Sequence, residues 1–140
     1  MREKILGLLG LMRRANAISP GEDQTGDTVK AGKAKLLLFS SDASDNARRK
    51  AENGSEGRNV QLVPLPFDRG ELGAALGLGG CSVAAVTDLG FADALMQMLS
   101  AQWPEKYEEA AGRVRERREK AARRKAQKGS KRAGTRRTDV

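Results

Sequence analysis

The sequence predicts an α/β protein: a three-layer α/β/α sandwich around a small buried sheet, followed by a basic C-terminal tail that is helical or disordered. Three observations carry this. Segments with apolar residues at helical spacing alternate with short aliphatic runs, "AKLLLFS", "NVQLVPL" and "CSVAAVTD", bounded by Gly, Asn, Asp and Ser. The runs are apolar at consecutive positions, as in strands covered on both faces. Charge is segregated: Met1 to Trp103 carries 12 Lys+Arg against 12 Asp+Glu, Pro104 to Val140 carries 14 against 6, and the net +8 lies entirely in the second segment.

Each element has its own justification. Ile5, Leu8, Leu9 and Met12 recur at helical spacing through residues 3–16, and "AIS" is a very short extended piece before Pro20-Gly21. A second helix runs from Glu22 to about Gly32, with acids in its first turn, and leads into the first aliphatic strand. Ser41, Asp42 and Ser44 are cap candidates for a third helix, roughly Asp45 to Asn53, which Gly54 and Gly57 end. "FDRGELGAALG" is a short helix and "GFADALMQMLSAQ" an amphipathic closing one. The expected core includes Leu8, Leu36, Leu38, Leu62, Val83, Ala85, Leu95 and Met98.

The domain organisation follows from the charge break. Residues 1–103 form one domain, and 104–140 a basic extension, helical to about residue 127. Pro104 suits a first helical turn, and Trp103, Tyr107, Ala111 and Val114 share a stripe that can dock on the body. "RERREKAARRKAQK" has high helix propensity, with Glu116 spaced to pair Lys120 and Glu119 to pair Arg123, while "GSKRAGTRRTDV" is expected to be disordered when free.

Composition excludes several chemistries. With no histidine and one cysteine, Cys81, the chain has no imidazole catalysis, Cys/His nucleophile pair, structural zinc or disulfide framework; Cys81 reads as a small buried residue of a reduced, cytoplasmic protein. "KILGLLGLMRR" is too short and too quickly followed by arginine to be a signal peptide, and no apolar run approaches a membrane span. "GDTVKAGK" has five residues where a phosphate loop needs four between its glycine and Gly-Lys, and Ala34 stands where Ser/Thr would hold magnesium. "GELGAALGLGG" precedes a strand, so it does not aim helix amides at a pyrophosphate in the Rossmann manner. Asp42 with Asp45, or Asp23 with Asp27, offers a carboxylate pair, but caps and first-turn acids account for them. No catalytic residue, cofactor or metal is expected. A neutral body with a basic tail points to a polyanionic partner, the plainer alternative being a solubilising extension.

Four stretches taken in order resemble a known family: "SPGEDQT" opening the second helix, "AGKAKLLLFSSDAS" through the central strand, "ELGAALGLGG" before the last strand and "CSVAAVTDLGFA" through it. From about Lys4 to Leu99 the chain resembles the ribosomal protein L-seven-Ae superfamily of kink-turn RNA binders, most closely its bacterial YlxQ-like branch; the tail lies outside the resemblance. The resemblance implies a four-stranded mixed sheet, no enzymatic activity, and RNA recognition by the second helix's N-terminus together with the loop before the last strand. In such proteins the positions of Gly21, Glu22, Asp23 and Gln24 face tandem sheared G·A pairs and touch base edges. That fits acceptors and an amide there, because acids facing phosphate would be repelled. Leu78, Gly79 and Gly80 match positions that pack under an extruded nucleotide.

Two positions depart from the family pattern. Asp27 stands where a lysine commonly clamps RNA, and Ala74 follows Leu72-Gly73 where relatives often have a basic residue. Lys30 and Lys33, a turn or more further on, are the nearest cations. Affinity is therefore expected to move to the tail, with Arg113, Arg117, Arg118, Arg123 and Arg124 as RNA contacts. The expected function is a non-enzymatic RNA-binding protein of the cytoplasm, monomeric when free. Its target would be structured, kink-turn-like RNA, ribosomal RNA or a ribosome-assembly complex. The alternative is a protein-interaction adaptor on the same fold, its basic tail docking on an acidic partner.

Overall fold

The aliphatic runs pair into a four-stranded sheet whose order follows from which of them are most buried. In the computed structural model, which describes the backbone through Thr138 and side chains through Gln127, the elements are α1 (Arg2–Arg14), β1 (Ile18–Pro20), α2 (Glu22–Lys30), β2 (Leu36–Phe39) and α3 (Asp45–Ser55). They continue with β3 (Gln61–Pro64), α4 (Arg69–Ala75), β4 (Val83–Val86), α5 (Leu89–Gln102) and α6 (Pro104–Thr138). The sheet order is β1-β4-β2-β3. The two central strands, β2 and β4, are buried at every position, as their unbroken apolar runs require.

β4 is antiparallel to both β1 and β2, and β3 is parallel to β2. Hence β1, β2 and β3 end at one edge of the sheet, where β4 begins. Side-chain alternation sorts the layers: Ile18, Leu36, Leu38, Val63, Ala84 and Val86 pack with α1, α4, α5 and α6, while Leu37, Phe39, Val83 and Ala85 pack under α2 and α3.

Of the expected core, Leu36, Leu38, Val83, Ala85 and Leu95 are buried, whereas Leu8, Leu62 and Met98 are half-buried and pack at the margins of the clusters. In α1 the buried stripe is Ile5, Leu9 and Met12, and Leu8 lies to one side of it. Among the three cap candidates Ser44 accepts from Ala47 N at 3.1 Å, and Asp42 instead accepts from Arg69 N at 2.9 Å, tying the β2–α3 turn to the start of α4. Asp68 and Glu71 close α4 with a capping box.

The first half of α6 is part of the larger core. Tyr107, Ala111 and Val114 are buried in it, and Trp103 packs edge-on to Tyr107. Tyr107 Oη donates to Pro64 O at the end of β3 at 2.6 Å. Further along, the buried carboxylate of Asp93 in α5 accepts from Arg118 at 2.8 Å and lies 3.5 Å from Arg115. Burial alone would raise the Asp93 pKa, but Arg118, Gln97 and Arg115 outweigh it and hold the carboxyl below its ordinary value. The helix runs on to Thr138, past the expected boundary near residue 127, and the final Asp139-Val140 of the stretch expected to be disordered lie outside the described residues.

Burial pushes the Tyr107 pKa up to about 12, above the value of about 10 for a free phenol. A folded-state pKa above the unfolded one means a contribution fully present below about pH 10 and lost as pH rises through about 12. Tyr107→Phe is expected to cost about 1 kcal/mol at neutral pH through the lost hydrogen bond. It should also flatten the fall in stability between pH 10 and 12, as followed by urea midpoints across that range.

Candidate nucleic-acid interface

At the edge where β1 ends and β4 begins, the chain must turn sharply from strand to helix. Gly21 does so at φ 88°, ψ 159°, a conformation that is essentially glycine-only, and its amide donates to Val83 O at 2.9 Å. A Cβ at Gly21 would meet open space, so the backbone is accessible on that side. Thr25 and Thr28 fix the angle of α2: Thr25 Oγ1 donates to Ser19 O at 3.2 Å, and Thr28 Oγ1 bonds Ser19 Oγ at 2.9 Å and Gln24 O at 2.8 Å.

The side chains of Glu22, Asp23 and Gln24 are exposed, and no side chain caps α2. The capping explanation for Asp23 is therefore not realised. Among the described residues Glu22 and Asp23 have no cationic partner within ion-pair distance, and Gln24 is bonded only through its backbone carbonyl, its side-chain amide having no protein partner. Two acceptors and one amide face solvent beside an open glycine.

The loop before β4 reaches the same edge, because Val83, which accepts from Gly21, is its second residue beyond Cys81. Its left-handed position is Gly77 at φ 74°. Gly79 and Gly80 have no such φ, and a Cβ on either would meet open space, so the tight-turn explanation falls on Gly77. Leu78 stands out as an exposed large apolar side chain at 39%. Behind the loop Gly73 packs directly on Gly80: a Cβ at Gly73 would come within 2.6 Å of Gly80 Cα. Gly73→Ala is expected to push the loop outward and cost about 1–3 kcal/mol, whereas Ala74→Lys, on the exposed face, leaves stability within about 0.5 kcal/mol; thermal unfolding of the two variants checks both. Cys81 is buried beneath, its thiol bonded to Val83 O at 3.2 Å and its pKa pushed up by burial, as an unreactive packed thiol should be.

Between α2 and α3 a cleft of about 460 Å³ opens onto Leu37 and Val83, rimmed by Glu22, Asp23, Asp27, Lys30 and Lys50. On the α3 side its wall is made by the small residues Ala47, Ala51 and Gly54 beside Lys50. Asp27 is thus on the exposed rim and not in the packed layer.

The bond from Gly21 to Val83 O sets the start of α2, with Glu22, Asp23 and Gln24, beside the start of β4, while Gly79 and Gly80 line a depression with Asp42, Asp68, Arg69, Gly70, Cys81 and Ser82. The other expected contacts lie elsewhere. α2 carries Lys30 to its far end, and Lys33 precedes β2, so both sit at the opposite edge of the sheet. α6 also runs to that edge: Arg113 pairs with Glu109 and donates to Gln61 at the start of β3, while Arg117 donates to Lys35 O just before β2 at 3.4 Å. Arg118 is held by Asp93. Arg123 and Arg124 are exposed, with no carboxylate in ion-pair reach among the described residues; the expected Glu116–Lys120 pair forms at 3.6 Å, and Glu119–Arg123 does not. Two further cations at the far edge escaped the sequence reading, Lys35 and Arg58. The signal for Lys35 was a lysine directly before a buried strand. Arg58 had none, since only the β2–β3 register brings its loop alongside Lys35.

The fold places the chain among small three-layer α/β domains with a four-stranded mixed sheet. The model of the ribosomal protein L7Ae/L30e/S12e/Gadd45 family matches residues 3–96, and the chain belongs to that family. It is 37% identical over 94 residues to the RNA-binding protein YlxQ of Bacillus subtilis (strain 168), covering 66% of this chain and 91% of the relative. To the RNA-binding protein YlxQ of Enterococcus faecium it is 30% identical over 98 residues, 70% of this chain and 93% of the relative. A solved structure of a protein with unknown function from Bacillus halodurans C superimposes with a TM-score of 0.64 at 31% identity, over 69% of this chain and 97% of that one. Helix α6 lies beyond the family match.

Proposed function

We propose that this chain is a non-enzymatic cytoplasmic RNA-binding protein that reads kink-turn-like RNA at the edge formed by Gly21, Glu22, Asp23, Gln24, Leu78, Gly79 and Gly80. It does so within ribosomal RNA or a ribosome-assembly complex. The observation that carries the reading is a set of uncommitted polar groups: exposed acceptors and an amide, unused by caps or ion pairs, next to a backbone that only glycine allows. Membership of the family, and relatives named as RNA-binding proteins, support it.

The chemistry follows from the groups. Carboxylates accept from the amino edges of guanine or adenine, and Gln24 both donates and accepts, whereas phosphates would be repelled. The N-termini of α2, α3 and α4 all lie at this edge, so their positive ends offset part of the repulsion between the acids and nearby phosphates. Leu78 offers an apolar surface for an unstacked base, and Gly79 and Gly80 let it approach. Strength comes from cations elsewhere on the chain, through counterion release.

The test is binding of the full-length protein to a kink-turn RNA and to the same RNA with its G·A pairs replaced, across a salt series. A preference for the intact kink-turn that persists at high salt supports base-edge reading. Equal binding to both, falling together with salt, rejects it. No RNA binding, with retention of an acidic protein partner, favours the adaptor.

A further inference from the structure

A set of basic residues gathers away from the proposed base-reading edge, at which Arg48, Arg49 and Arg69 near the starts of α3 and α4 also lie. β1, β2 and β3 run away from the far edge, and the loops that feed β2 and β3 meet there: Lys35 N donates to Val86 O at 2.7 Å, Lys35 O accepts from Gln61 N at 3.3 Å, and Val60 N donates to Arg58 O at 3.0 Å. Arg117 of α6 crosses onto the same spot through its bond to Lys35 O. Lys33 lies two residues before Lys35 and Arg58 three before Gln61, so with Arg117 they make up a basic group at this edge by position, and among the described residues none of the four has a carboxylate within ion-pair distance.

The neighbouring acids are mostly engaged: Asp88 caps α5 through Phe91 N, Asp93 holds Arg115 and Arg118, Glu109 holds Arg113, and Glu116 holds Lys120. Glu52, Glu56 and Glu119 are exposed exceptions. From this cluster α6 continues outward with all its side chains from Glu119 to Gln127 exposed, adding Arg123 and Arg124 along the same direction.

The two edges are separated by the length of α2, nine residues or on the order of 13 Å. That exceeds the Debye length of roughly 8 Å at physiological salt, so the acids at one edge do not cancel the cations at the other. We propose that the cluster of Lys33, Lys35, Arg58 and Arg117, prolonged by Arg123 and Arg124, is a second RNA surface. It holds the phosphate backbone of a segment other than the one whose bases are read at the Gly21 edge. The inference rests on the proposed RNA-binding function and adds that the protein spans two stretches of RNA. Anchoring of α6 by Asp93 and Tyr107 is what gives this surface a fixed direction.

The experiment uses full-length protein and its Lys33→Gln, Lys35→Gln, Arg58→Gln triple variant, with a short kink-turn RNA and the same RNA with one stem lengthened. Lengthening should steepen the wild-type dependence of log affinity on log salt by about 4 to 5 for six contacts at roughly 0.7–0.9 each, and the variant should lose about 2 to 3 of that increment while matching wild type on the short RNA. The proposal is overturned if lengthening adds no slope, if the variant keeps the whole increment, or if it loses slope equally on both RNAs. Repeating the series with the G·A pairs replaced separates the two readings. Without kink-turn preference but with the increment reduced in the variant, base reading fails and the second surface stands. With the preference intact and the whole increment retained by the variant, the second surface fails alone.

Discussion

A chain ending at Trp103 should lose cooperative unfolding, although the charge break at that point looks like a domain boundary. Tyr107, Ala111 and Val114 are 2%, 3% and 0% exposed and sit in the main cluster with α5 and β3. Removing a buried aromatic ring costs about 3–5 kcal/mol and a buried valine about 1.5–3. Uncovering the α5 face they lie on adds to that, against a total stability of about 5–15 kcal/mol for a domain of this kind. The shortened chain is expected to bind ANS and unfold over a broad urea range. A chain ending at Lys120, which retains the buried stripe and the Arg115 and Arg118 links to Asp93, should keep its midpoint within about 1 kcal/mol of full length. A sharp transition at the full-length midpoint for the chain ending at Trp103 would show that α6 is an appendage. The same result decides how RNA binding must be measured, since removing α6 at Pro104 would confound loss of charge with loss of fold.

The second large effect belongs to the proposed reading edge. Asp23→Ala with Gln24→Ala removes two exposed side chains with no side-chain partner, Asp23 contributing only as a first-turn acid of α2, so stability should fall by no more than about 1 kcal/mol. If they read base edges, each contact contributes about 1–3 kcal/mol of discrimination, roughly 5- to 150-fold. The double variant should bind the intact kink-turn and its G·A-replaced form nearly alike, with an unchanged salt slope because neither residue meets phosphate. A kink-turn preference that survives in the variant would move recognition away from α2. Asp27→Lys is the complementary change: on the exposed rim of the α2–α3 cleft it should raise affinity and steepen the salt slope by about 1.

Much of this protein was legible in its sequence, for reasons that are local. Consecutive aliphatics in "LLLF" and "SVAAV" can be satisfied only by strands covered on both sides, and β2 and β4 are the two central strands. Gly21 after Pro20, followed by acids, marked the one place where a strand must turn directly into a helix. Its φ of 88° is the backbone requirement behind that glycine. The helical stripe from Trp103 to Val114 likewise announced a docking face, which the core uses.

Other features depended on contacts between distant parts of the chain. Leu8 and Met98 satisfy the helical period, yet helix rotation is set by the partner surface, and Ile5, Leu9, Leu95 and Met96 took the interior. The requirement for glycine at position 73 comes from Gly80, which approaches it only after the α4–β4 loop folds back. The placement of charge was the least legible. Lys30 and Lys33 are close to Asp23 in sequence, but a helix carries side chains away at about 1.5 Å per residue, and α2 delivers them to the opposite edge. There the parallel pairing of β2 with β3, and the descent of α6 past Asp93, assemble them with Lys35, Arg58 and Arg117. The sequence by itself determined the elements, their order and the polar set beside Gly21, because periodicity, turn chemistry and backbone sterics act over a few residues. Only the tertiary structure decided that this polar set and the group of Lys33, Lys35, Arg58 and Arg117 lie at opposite edges of the sheet, because strand direction and helix docking are fixed by pairings between residues far apart in the chain.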